Sequence, residues 1–362
     1  MKDKRYLLTV CFLIALTLMV VSCGKSATNS TTLSTTTKTS SSTSSNTNSS
    51  SNPVAIAVTA TITVDKYPAG LAYNSSQGEI FVINLGHSVT QLVISDITNT
   101  VVPSAFSGYG ANLIAYDSGK NEYFVTSNSY YNGYVISANI NAQVATLTIP
   151  ETESYGPAGI TYDSGKGEIF IANSYANTVK VISDSTNTVI ATIPVGKGPM
   201  GVAYDSAKGE VFVTNSTDGT VSVISDSNNT IVATVTVGKY PHSLAYDSVK
   251  GEIFVANGSD GTVSVISDSN NKVVATVTLP KLSQPDAVTY DSGKGAIFVA
   301  NPETSTAPGS VSIISDSTND IVATVTVGIG PNAMVYDSGK GEVFVVNGVD
   351  GTVSVISDSS LK

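Results

Sequence analysis

The chain of 362 residues has no tryptophan, two cysteines, two histidines and one arginine. Each shortage narrows the possible chemistry. Arg5 is that arginine, and it lies in an apolar leader, so the rest of the chain has no guanidinium fork with which to grip a phosphate or carboxylate bidentately. The formal net charge is -10; without residues 1–22 the chain holds 15 basic and 27 acidic residues, a net charge of -12. Phosphate backbones would be repelled, and no nucleic-acid partner is expected.

Cys11 falls inside the leader, which leaves Cys23 as the only thiol and excludes an intrachain disulfide or a multi-thiolate zinc site. His87 and His242 stand in different repeats, which excludes a multi-histidine copper or zinc centre. No nucleophile elbow, phosphate-binding loop or dinucleotide fingerprint occurs in a convincing context. No catalytic residues, metal or cofactor are therefore expected.

Lys2, Lys4 and Arg5 precede an apolar run from Tyr6 to Val21, and Val20-Val21-Ser22-Cys23-Gly24 resembles the lipobox of prokaryotic lipoproteins. Residues 1–22 read as a signal peptide and Cys23 as the lipidated residue; the alternative is an uncleaved membrane helix. Residues 23–53 are almost entirely Ser, Thr and Asn, too poor in apolar surface to offset the entropy of ordering, and read as a disordered stalk. The protein is expected to be secreted and anchored at the cell surface or in the periplasm, touching membrane only through its N-terminus.

A Tyr followed by Asp or Asn and then Ser recurs at Tyr73, Tyr116, Tyr162, Tyr204, Tyr246, Tyr290 and Tyr336. Spacings of 42 to 46 residues belong to solenoids or propellers. One unit decides between them, because Leu244 to Tyr246, Glu252 to Ala256, Thr262 to Ser267 and Lys272 to Leu279 are four β-like segments joined by tight turns. Four strands per repeat make a propeller blade. Residues 54–362 are predicted to be an all-β, seven-bladed β-propeller with four antiparallel strands per blade. The seventh unit stops after its third strand, and the segment Thr59 to Val64 matches a fourth strand, so the N-terminal strand is predicted to complete the last blade.

The motifs Phe212-Val-Thr-Asn215, Phe254-Val-Ala-Asn257 and Phe298-Val-Ala-Asn301, with Thr-Val-Ser-Val-Ile-Ser-Asp downstream in two of the units, resemble the YVTN repeat of extracellular and surface-layer-type propellers of archaea and bacteria. Phe stands where that family has Tyr, and the second unit is degenerate. The resemblance implies a binding or adhesive role. The Asp-Ser-Gly-Lys-Gly-Glu segments, such as Asp163 to Glu168, read as hairpin turns in which Asp bonds its own backbone rather than as calcium loops.

Two sets of turns stay nearly constant from unit to unit, whereas the blade-to-blade connections vary and gather tyrosine and lysine. The candidate ligand-binding residues at the channel mouth on that variable face are Tyr67, Tyr109, Tyr155, Lys197, Lys239, Tyr240 and His242, with Tyr130, Tyr131 and Tyr175 nearby. The expected partner is a cell-surface glycan, peptide or protein. The alternatives are a structural surface-layer component of the envelope and a metal-dependent lactonase or lyase-type propeller.

Overall fold

The computed structural model describes residues 56–85, 89–108, 110–127, 132–149, 156–280 and 283–361. The leader, Cys23 and the stalk lie outside the described residues, as do His87, Tyr109, Tyr130, Tyr131 and Tyr155.

The described residues form 28 β-strands. The repeat over residues 241–278 shows why. Pro241–Asp247, Glu252–Asn257, Thr262–Ser267 and Lys272–Thr278 pair antiparallel in that order. Asp247 builds the first turn: its Oδ1 accepts from the backbone N–H of Val249 at 2.9 Å and of Lys250 at 3.1 Å. The last turn ends on Asn271 at φ 54°, a region that Asn tolerates because its short amide can bond locally. The first strand starts earlier than the sequence pattern indicates. Pro241 already pairs with Asn257, and the register then shifts before Leu244 meets Val255, a bulge that hides the strand's true start.

The same unit recurs over residues 68–108, 111–148, 157–194, 199–236, 288–329 and 331–357, and the innermost strands of successive units touch in a circuit in which Pro68–Asn74 meets Pro331–Asp337. The fold is a seven-bladed β-propeller. In the seventh blade Val58–Thr63 is hydrogen-bonded to Thr352–Ser357, with Ile62 opposite Val353 and Thr61 opposite Ser354. One sheet thus combines a strand from each end of the described chain.

The core lies between blades rather than at the centre. Phe170, Val179 and Val181 of the third blade pack on Val211, Val213 and Ile224 of the fourth, and six comparable layers fill the other seams. Second strands are sandwiched on both faces, which is why Val211, Phe212 and Val213 are all fully buried.

At the end of the ring carrying the Asp-built turns, each seam has a polar clasp. Lys208 reaches across to Asp268 of the next blade, 3.3 Å from its Oδ1, and Lys250 does the same to Asp316 at 3.5 Å. Gly251 makes room for Asp268 and Gly295 for Asp316: a Cβ at either position would lie 2.5 to 2.9 Å from the carboxylate atoms. The seam between the first two blades is rebuilt with neutral groups. Gln77 takes the lysine position, Ala138 the aspartate position and Asn121 the glycine position, and Asn74 donates to Gln77 at 2.9 Å and to Asn121 at 3.0 Å.

Candidate functional site

The opposite end of the ring carries the blade-to-blade connections, and several of those among the described residues are tied to the turn between the second and third strands of the blade they enter. The N–H of Gly258 donates to Tyr240 O at 2.9 Å, and that of Leu85 donates to Tyr67 O at 3.0 Å. Carboxylates of these turns fix the loops further, since Asp218 accepts from the Lys197 N–H and Asp260 from the Lys239 N–H, both at 2.7 Å.

Tyr67 and Tyr240 hold equivalent places just before the proline that opens an innermost strand. Their φ values are 60° and 56°, in the left-handed region. Every other non-glycine residue with positive φ among the described residues is an asparagine, and the corresponding loop positions in three other blades are Gly110, Gly198 and Gly330. An L residue with a full side chain holds this conformation at a cost of about 1–2 kcal/mol. Both rings nonetheless stand in solvent, Tyr67 at 62% and Tyr240 at 48% exposure. Tyr175, also exposed, lies over Gly156 so closely that a Cβ there would come within 2.5 Å of the ring.

Behind these loops the central channel opens as a cavity of about 270 Å³. Its rim tier is formed by the residue after the opening proline, or its equivalent, in each blade: Ala69, Asn112, Ala158, Met200, His242, Asp286 and Asn332. Two residues further along each strand, Leu71, Ile114, Ile160, Val202, Val288 and Met334 make an apolar tier. The polar groups of the rim are not equivalent. Asn112 is spent on the scaffold, donating to Pro157 O at 2.9 Å and accepting from Thr126 Oγ1 at 2.8 Å. His242 and Asp286 pair with each other, Nδ1 to Oδ1 at 2.7 Å, and the Tyr240 ring lies 5.1 Å from the imidazole.

Among the described residues, His242 is the one sequence candidate that lines the cavity. Tyr240 flanks it, while Tyr67, Lys197 and Lys239 belong to the surrounding loops and do not line it. Tyr109, Tyr155 and Cys23 lie outside the described residues. His242 belongs to a strand rather than a loop. Asp286 escaped the sequence reading because the innermost strand of its blade is only Val288–Asp291 and the stretch before it breaks the repeat pattern. Aligning Pro241-His242, Pro285-Asp286 and Pro331-Asn332 is the signal that brings it out.

The carboxylates of the other face sit in a different environment. Burial pushes the Asp316 carboxyl up from its ordinary range, more than Lys250 lowers it. Asp163 is likewise raised by burial against the lowering of its Tyr204 and backbone hydrogen bonds. Among the described residues no group of three or more His, Cys, Asp or Glu is placed to hold a metal ion.

No protein-family model and no curated protein matches the chain. Its fold is similar to the WD40 β-propeller domain of Doa1, at 14% identity and a TM-score of 0.69, covering 84% of this chain and 98% of that one. It is similar also to the hydrazine synthase of Kuenenia stuttgartiensis, at 15% identity and a TM-score of 0.69, covering 81% and 96%. At such identities the likeness shows the propeller fold alone.

Proposed function

We propose that this chain is a non-catalytic binding or adhesion propeller of the YVTN-repeat type, anchored outside the cell through Cys23, which takes its ligand on the variable-loop face around the channel mouth. The observation that carries this reading is the pair Tyr67 and Tyr240. Left-handed backbone at a bulky residue costs stability, and exposed rings recover little of it by burial, so selection for the fold alone favours the glycine used in the equivalent loops. Tyrosine supplies wide, amphipathic contact area with few rotamers to freeze, which is what a binding surface gains from it.

The test is capture by the full chain on arrays of glycans and peptides, comparing wild type with a Tyr67→Gly, Tyr240→Gly double variant. The reading expects a ligand held by wild type and lost by the variant at an unchanged fold. A ligand held equally by both would reject it.

A structural envelope role has one observation in its favour. Among the seven outermost strands, from Val58–Thr63 to Ile321–Ile329, only Lys272 is charged. Uncharged edges lack the usual protection against edge-to-edge pairing, so lateral packing of copies is the second reading. Concentration-dependent assembly by light scattering would favour it, and a dispersed monomer at high concentration would remove it.

A further inference from the structure

We propose that the channel mouth binds a primary ammonium group borne on a short apolar chain. The inference rests on the channel-mouth reading above and adds the chemical class of the ligand.

The cavity lining holds two ionisable side chains, His242 and Asp286, and no lysine. At 2.7 Å the imidazole Nδ1 must carry the proton it shares with the carboxylate, which orients the ring. In the neutral imidazole Nε2 is then an acceptor, and Asp286 retains Oδ2; neither atom has a hydrogen-bond partner among the described residues. The pair with a neutral imidazole bears one negative charge and offers acceptors only. An ammonium group is its complement, with one positive charge, three donors and no acceptor. The Tyr240 ring beside the imidazole adds an aromatic surface, which favours a cation over an anion.

The rest of the site sets the shape. Asp286 and Val288 are two residues apart on a chain running down the channel, so the apolar tier lies about 7 Å below the charged rim. An alkyl chain attached to the ammonium would run along Val288, Met334 and Val202, where it is removed from water. A carboxylate ligand would meet Asp286 with no lysine in the lining to offset it. A free alkylamine and the side chain of a lysine in a peptide share this chemistry.

The test is calorimetric titration of the full chain with n-hexylammonium, n-hexanol, hexanoate and the N-acetyl methylamide of lysine. Wild type should bind hexylammonium about tenfold more tightly than hexanol, the scale of one charge-assisted hydrogen bond. The lysine derivative binding more tightly than hexylammonium would mark a peptide source, and the reverse a free amine. Asp286→Asn should erase the preference for the cation while keeping hexanol binding. If that variant does not fold, His242→Gln, which keeps an amide donor for Asp286, should weaken hexylammonium binding selectively. Hexanol or hexanoate binding as tightly as hexylammonium would overturn the ammonium assignment and leave the channel mouth standing. No binding by any probe would overturn the assignment as well, and the array comparison of the two tyrosines would then decide the channel-mouth reading independently.

Discussion

Replacing Tyr67 and Tyr240 by alanine and, separately, by glycine divides the loss of a ring from the strain of the backbone that carries it. Both substitutions remove the same aromatic contacts, so their difference reports the φ values of 60° and 56°. Alanine keeps a Cβ and with it the left-handed cost of about 1–2 kcal/mol, which glycine does not bear. Glycine in turn loses about 0.4–1 kcal/mol through its greater freedom in the unfolded chain. The glycine variant should therefore be the more stable at each site by about 0.5–1 kcal/mol, the reverse of the usual order. The two loops belong to different blades with no shared partner, so the double variants should differ by about 1–2 kcal/mol. For a domain of about 300 residues that is a gap of roughly 2–3 °C in melting temperature, readable by calorimetry. Ligand capture should fall alike in both variants. Alanine variants melting at or above the glycine variants would refute the strain argument, and with it the reason for assigning these tyrosines to binding.

The seam face makes its own predictions. Burial raises the carboxyls of Asp96, Asp163, Asp316 and Glu342, so the folded state holds protons that the unfolded chain releases. Those groups oppose folding at neutral pH, and this opposition is relieved as pH falls through their raised range toward the ordinary carboxylate range of about pH 4; melting temperature should rise over that descent. A fall over that interval would contradict it. At the neutral seam, Ala138→Asp alone should lower stability by about 1–3 kcal/mol by crowding the Asn121 side chain, while the double change with Asn121→Gly should restore most of it. Additive losses in that cycle would show that the two positions are not coupled. Deleting residues 54–64 removes the strand paired with Thr352–Ser357 and exposes its edge, which should lower the melting temperature sharply; an unchanged melt would mean that this strand does not hold the ring.

The architecture was legible because every blade repeats its punctuation. Asp205, Asp247 and Asp291 open the same turn, and the Phe-centred second strands recur with the same doubly buried pattern. The candidate site was legible only in part. Tyr240 and His242 stood out as an aromatic and an imidazole near a variable connection, but nothing in residue type reveals a left-handed tyrosine, because tyrosine is rarely found there. Asp286 was hidden by an irregular strand entry, and the bulge between Pro241 and Leu244 disguised His242 as a loop residue. Lys197 and Lys239 stand out in the sequence by their charge; that an aspartate also caps the backbone N–H of each is visible only in the structure.

The central claim is that ligand meets the face of the ring where the blades are joined. Hydrogen–deuterium exchange of the full chain, with and without a ligand captured on the arrays, tests it most directly. The account predicts added protection in residues 65–71, 238–243 and 283–288, with the turns at 163–168 and 205–210 unchanged. Protection confined to those turns, with the loops around Tyr67 and Tyr240 exchanging as before, would contradict it.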